Sequence, residues 1–228
     1  MKRHFDDELK RLKEKLFRMG LQVEETVGKA AQALFERDQK KAEEVMKGDQ
    51  EINLCEIEID ELGHELIALY QPTAVDLRFI TMVLKINNDL ERMADQAVNI
   101  AEKAIEIMKE PPMKPYVDLP KAADAARGMV REALKAFMDR DPAKAKEILE
   151  RDDVVDEIND RIYTEVQELM LKKPESIRQG VALIMVSHNL ERVADLATNI
   201  AEDVIYVSRG IDVRHHIRER REEKSQTA

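Results

Sequence analysis

The residues best suited to chemistry in this chain are carboxylates at helical spacing. The segment Leu90-Glu-Arg-Met-Ala-Asp-Gln-Ala-Val-Asn-Ile-Ala-Glu102 carries Glu91, Asp95, Asn99 and Glu102 at i, i+4, i+8 and i+11. On an α-helix these four share a face, and Glu91 and Asp95 stand one turn apart. Leu190-Glu-Arg-Val-Ala-Asp-Leu-Ala-Thr-Asn-Ile-Ala-Glu202 repeats the stripe as Glu191, Asp195, Asn199 and Glu202, and ten of the thirteen positions are identical. Like charges one turn apart repel by about 0.2–0.5 kcal/mol, and by more when half-buried. A hard cation offsets that repulsion directly, and an all-oxygen donor set suits Mg²⁺, Mn²⁺, Ca²⁺ or iron. The plainer alternative is a solvated acidic flank paired with Arg92, Arg192 and nearby lysines.

More acids lie upstream of each stripe. Val45, Ile52, Ile59 and Leu66 recur every seven residues as one apolar seam, and Asp49 and Glu56 fall at its missing steps, with Asn53 and Asp60 alongside. Ile148, Val155, Ile158, Ile162 and Val166 form the matching seam. Asp152 interrupts it, and Asp156 and Asp160 flank it. If the helix bearing each seam packs antiparallel to the helix bearing the stripe, the acids converge. The candidate metal ligands are therefore Asp49, Glu91 and Asp95 in one group, and Asp152, Asp156, Glu191 and Asp195 in the other. Each stripe runs beside its apolar seam and not within it, so both sites are expected to be shallow. Binding is expected to be reversible, and the metal (iron, Mn²⁺ or Mg²⁺) unnecessary for folding, because the seams are complete without it.

Other reactive types give weaker patterns. Glu61-x-x-His64 resembles half of a di-iron bundle site, but the second repeat has no matching histidine, so His64 reads as a helix-surface residue. Ser187-His188-Asn-Leu-Glu-Arg192 resembles a histidine-kinase phosphoacceptor box without the Thr-Pro that should follow. No GxxxxGK[ST] loop is present, so the chain is not itself an ATPase. Cys55 has no basic neighbour in sequence and reads as an inert thiol at a seam edge; the methionines read as core filler, and His215-His216 as solvated tail.

Six helices are needed to position these residues. Phe5, Leu9, Leu12, Leu16, Met19, Val23, Val27, Ala30 and Leu34 mark the first. Asp38 reads as the N-cap of a second, which runs to about residue 70 and is stopped by Pro72. Thr73-Ala-Val-Asp76 reads as a capping-box-like start for a third, reaching about residue 109. Residues 111–120 hold four of the seven prolines and read as a linker. Helices at about 121–139, 142–171 and 175–208 follow, and Asp141-Pro142 supplies a cap with proline at the first helical position. Arg37-Asp38, Lys41-Ala42 and Asp49 return as Arg140-Asp141, Lys144-Ala145 and Asp152 at an offset of 103. The fold expected is all-α, two tandem three-helix bundles over residues 1–110 and 121–210, with a charged tail over 211–228.

Composition bounds the function. With 7 Gly, 7 Pro and 4% aromatics in 228 residues, regular helix with an aliphatic core is favoured. A net charge of −10 and a pI of about 5.2 argue against a general nucleic-acid binder. The longest apolar run, Val181 to Val186, is far short of the ~20 residues a membrane span needs. The N-terminus has no apolar leader, and one cysteine fits a reducing compartment, so a soluble cytoplasmic protein is expected. No nucleophile stands beside a base in the sequence patterns. A partner-binding regulator is thus favoured over a metal-dependent enzyme or metal store built on the same acids.

The paired Leu-Glu-Arg-x-Ala-Asp-x-Ala-x-Asn-Ile-Ala-Glu segments resemble the PhoU family, accessory regulators of bacterial phosphate uptake. Gln71-Pro-Thr-Ala-Val-Asp-Leu-Arg78 resembles that family's linker motif, and Asp49-x-x-Ile-Asn53 and Asp152-x-x-Val-Asp156 resemble its second-helix motif. The resemblance covers roughly residues 5–208. It implies two similar three-helix bundles, a cytoplasmic homodimer, and a negative regulator acting when phosphate is plentiful. The implied partners are the phosphate ABC transporter, through its ATPase subunit, and the phosphate-sensing histidine kinase. It also implies metal clusters on Glu/Asp-x-x-x-Asp motifs, here Glu91/Asp95 and Glu191/Asp195, with Asp49 and Asp152 facing them. Asn53 stands where the second repeat has Asp156, and Asn159 where the first has Glu56, so the two sites are not equally acidic.

Overall fold

A computed structural model describes residues 2–112, 118–210 and 213. Among the described residues the chain forms six long α-helices and no strand. They are α1 (Lys2–Glu36), α2 (Gln39–Tyr70), α3 (Ala74–Met108), α4 (Leu119–Asp139), α5 (Pro142–Lys172) and α6 (Ile177–Arg209). Each repeat is an antiparallel three-helix bundle. In the first, Lys15 pairs with Glu58 and Lys29 with Glu44, which fixes α1 and α2 in opposite directions.

The apolar stripes become the core. Leu12, Leu16, Met19, Val23 and Val27 of α1, and Leu90, Ala94, Ala97 and Ala101 of α3, are fully buried. The seams Val45–Ile52–Ile59–Leu66 and Ile148–Val155–Ile158–Ile162–Val166 are buried as well. The repeats meet through like elements, α3 on α6 and α1 on α4. Arg178 at the start of α6 reaches Glu106 at the end of α3, and Lys85 near the start of α3 reaches Asp203 near the end of α6, so this central pair is antiparallel. Phe79 stacks on Phe137 across the junction at 5.2 Å between ring centroids. Gly28 admits α4 closely, since a Cβ there would fall 2.5 Å from the Arg127 Nε.

The first turns of α2 and α5 are built alike. Asp38 accepts from the Lys40 and Lys41 backbone N–H groups, and Asp141 from those of Ala143 and Lys144. The preceding residues, Arg37 and Arg140, close α1 and α4 in the left-handed region at φ 55° and 52°. There the Asp38 and Asp141 N–H groups bond back to the Ala33 and Ala136 carbonyls, both at 2.9 Å.

Several boundaries differ from the sequence reading. The helix α1 begins at Lys2, ahead of the first apolar marker, Phe5, and the exposed His4, Asp6 and Asp7 beside that marker cost no packing. The capping box at Thr73 does not form. The Thr73 hydroxyl faces the Asp76 carboxylate at 3.5 Å and caps no backbone N–H. The helix α4 begins at Leu119, inside the expected linker, because Pro120 sits in the first turn, where a missing N–H costs nothing. Before α6, Pro174–Ser176 form a 3₁₀ turn, so the long helix starts at Ile177. Linker residues 113–117 and tail residues 211–212 and 214–228, including His215-His216, lie outside the described residues.

Candidate functional site

Packing of α2 against α3 brings the first set of acids together. Burial raises the Glu91 pKa above the ordinary carboxylate range, and the neighbouring charges of Asp95, Glu56 and Asp49 raise it further. The Asp95 carboxyl is raised by burial and then by Asp49. Glu56 is raised by burial and by Asp60, against a hydrogen bond from Asn88. Four carboxylates from two helices therefore share one electrostatic environment. Asp95 is exposed, while Asp49 and Glu91 are half-buried, so the cluster opens to solvent.

Amides are threaded through the acids. The Asn53 Nδ2 donates to Asp49 Oδ2 at 2.8 Å. Asn87, fully buried, donates its Nδ2 to the Glu56 carbonyl and to Asp60 Oδ1, both at 2.9 Å. Three buried oxygens here, Asp49 Oδ1, Asn53 Oδ1 and Asn87 Oδ1, accept no hydrogen bond. A buried acceptor left unsatisfied costs about 1–3 kcal/mol, and a cation or a water is the usual remedy.

The second set converges in the same way between α5 and α6. Burial raises the Asp156 pKa, and Glu191, Asp195, Asp153 and Asp160 add to it. Asp156 and Asp195 are exposed, and Glu191 and Asp152 half-buried. Here Glu191 is held by donors. The Asn159 Nδ2 donates to its Oε2 at 2.9 Å, and His188 Nδ1 lies 3.0 Å from the same oxygen. Ser187 Oγ in turn donates to Asn159 Oδ1 at 2.5 Å. Asn159 replaces Glu56 of the first repeat, and Ser187-His188 replace Asn87-Asn88.

The donor chemistry of both clusters, carboxylate and amide oxygen, fits a hard cation. Their orphaned or repelled oxygens are what such an ion would relieve. Among the described residues, however, no three His, Cys, Asp or Glu side chains are gathered tightly enough to hold an ion as they stand. Asn99 and Glu102, further along the first stripe, point to solvent. Arg92 approaches Asp89 at 3.5 Å and not Asp95. Cys55 is half-buried with its thiol pKa raised by burial, and His64 is exposed.

Two polar groups between the repeats escaped the sequence reading. Glu24, 6% exposed, accepts from Arg127 at 2.9 Å and Arg131 at 2.7 Å across the α1–α4 contact. Asp203 accepts from Lys85 at 2.6 Å across α3–α6, with Asp89 buried beside them. The only sequence signal for either was an acid set within an apolar stripe.

The sequence matches the PhoU domain twice, over residues 16–104 and 119–204. It is 42% identical over 216 residues to the phosphate-specific transport system accessory protein PhoU homolog of Aquifex aeolicus, covering 94% of this chain and 98% of that one. The homolog of the same description from Pseudomonas putida is 38% identical over 92% of this chain and 83% of its own length. The crystal structure of PhoU from Pseudomonas aeruginosa matches with a TM-score of 0.88 at 36% identity, over 91% of this chain and all of that one. The phosphate transport system regulatory protein PhoU from Streptococcus pneumoniae matches at 0.85 and 31%, over 92% of this chain and 99% of that one.

Proposed function

Since the chain belongs to the PhoU family, we propose that it is a non-enzymatic accessory regulator of phosphate-specific transport. It restrains phosphate import and phosphate-responsive gene expression when phosphate is plentiful. The observation that carries this reading is the match of both repeats, nearly end to end, to relatives described as accessory proteins of that system. The described polar clusters are mainly carboxylates and amides, joined in the second repeat by Ser187, which donates to Asn159, and by His188, which meets Glu191. Regulation then works through contacts with the transporter's ATPase subunit and the phosphate-sensing histidine kinase, on the cytoplasmic side, by a homodimer. No helix among the described residues is long and apolar enough to cross a membrane. Affinity capture from cells grown in high and low phosphate tests the contacts. Recovery of the ATPase subunit and the kinase, changing with phosphate, is expected; recovery of neither under both conditions contradicts them.

The two acidic clusters serve this role as reversible sites for a hard cation. Asp49, Glu91 and Asp95 would hold it in the first repeat, and Asp152, Asp156, Glu191 and Asp195 in the second. The unsatisfied buried oxygens of Asp49 and Asn53 support the first site most directly. A bound cation would supply charge neutralisation there, drawing α2 and α3 together. Sustained turnover by metal-loaded protein, as ferroxidase or phosphoesterase, would instead favour a metal-dependent enzyme.

A further inference from the structure

Lys13 of α1 and Arg140 after α4 share the ring of Phe79, and Arg78, the chain neighbour of that ring, lies against the same end of α6 that the Arg140 backbone touches. Lys13 Nζ lies 4.6 Å from the centroid of the Phe79 ring, and the Arg140 guanidinium carbon lies 5.1 Å from the same centroid. Arg78, the chain neighbour of Phe79, has its guanidinium carbon 5.6 Å from the Tyr206 centroid. It also lies against Gly210, where an added Cβ would fall 2.8 Å from its Nη1. The Ser208 hydroxyl donates to the Arg140 carbonyl at 3.1 Å, so the end of α6 touches both arginines.

Cation–π contact and helix C-terminal carbonyls can each hold a lone cation. They do not account for three together. Arg37 shows what such a residue does when it has a structural task. It occupies the place of Arg140 in the first repeat, also closing its helix at positive φ. Its guanidinium is spent on the carbonyl oxygens of Met108 at 2.8 Å and Glu110 at 2.6 Å. Among the described residues the Arg140 guanidinium makes no such bond, and it turns to the ring that Lys13 already occupies. The two charges repel: burial lowers the Lys13 pKa, Arg140 lowers it further, and Asp76 offsets this only in part. A chain of net charge −10 has acids to spare, yet among the described residues none forms an ion pair with these three side chains.

We propose that Lys13, Arg78 and Arg140 form a binding site for a multivalent oxyanion the size of orthophosphate. Two guanidinium groups offer planar forks to a tetrahedral oxyanion, and the ammonium adds a point charge. A dianion neutralises these charges better than a single carboxylate. The assignment rests on this geometry and is independent of the regulatory reading.

The test is calorimetric titration of the full-length protein with orthophosphate at constant ionic strength. Wild type, Arg140→Gln, Lys13→Gln and the exposed control Lys135→Gln are compared, each checked for an unchanged helical signal. Saturable binding with one phosphate per chain is expected, weakened at least tenfold by Arg140→Gln and by Lys13→Gln and unchanged by Lys135→Gln. In wild type, NMR of the Lys13 ammonium should show its pKa rising on saturation. Equal competition by sulfate supports the oxyanion class. Absence of saturable binding, or equal weakening by Lys135→Gln, overturns the site. Binding that emerges only when Asp212, Glu219, Glu222 and Glu223 are neutralised overturns it too, because the chain's own tail would then be the occupant.

Discussion

Asp89 is 5% exposed beside Lys85 and Asp203, and its pKa is pushed up to about 6. Burial is the main cause, Lys85 opposes it, and the Asp203 charge adds to it. A carboxyl whose folded pKa lies above its unfolded value stabilises the fold most when protonated. That contribution is complete below about pH 4 and is lost as pH rises through about 6. Asp89→Asn should therefore flatten the stability profile between pH 4 and 7 and raise stability at neutral pH, by at most about 3 kcal/mol. Thermal melts of both proteins across that range check it; an unchanged slope would contradict it. At the acidic clusters the raised pKa values of Glu91, Asp95 and Asp156 mean that protons compete with a cation at higher pH than usual. Titration of apo protein with Mn²⁺ should show binding that weakens as pH falls through the acid range. Uptake at the first site should be lost in Glu91→Ala/Asp95→Ala, and equal uptake by that variant would refute the assignment. The stripes were legible because both carboxylates of each pair sit on one helix at fixed spacing. The amide partners Asn87 and Asn159 were not, because they meet the acids across a helix pair, through packing that spacing does not encode, whereas His188 meets Glu191 three residues along one helix.

At the scale of elements, local rules and tertiary packing divide the credit. The Asp38 and Asp141 caps could be read directly, since the signal spans only three residues and the backbone geometry is standard. Asp38→Ala or Asp141→Ala should cost about 1 kcal/mol, measured by denaturant unfolding. The start of α3 was read correctly with Thr73 as N-cap, but its capping box does not form, because Thr73 and Asp76 find each other before they find the backbone. The α1–α4 contact was invisible in sequence, as its polar centre joins Glu24 to arginines more than 100 residues away. Removing Glu24 leaves two arginines facing each other over a buried position. Glu24→Ala should cost about 2–3 kcal/mol, discounted because Arg131 is largely exposed, and should cost more than Arg131→Ala. Comparable losses from the two variants would mean that the ion pairs matter less than their packing.

At the scale of the molecule, duplication explains the architecture. Two copies of one three-helix unit pack like element against like element, and their cores are closed by aliphatic seams. Chelation should therefore leave the far-ultraviolet helical signal intact, and its loss would refute the claim that metal is dispensable for folding. The all-α fold and its two repeats were legible because breakers and seams recur at nearly constant offset. The partners proposed rest on the family alone, since surface contacts leave no periodic trace. The central claim is restraint of phosphate-responsive expression, and it is tested most directly in a strain lacking this chain. A phosphate-responsive reporter should stay switched on in rich phosphate and fall silent when the gene is restored. A deleted strain that silences the reporter as completely as its parent would contradict the account.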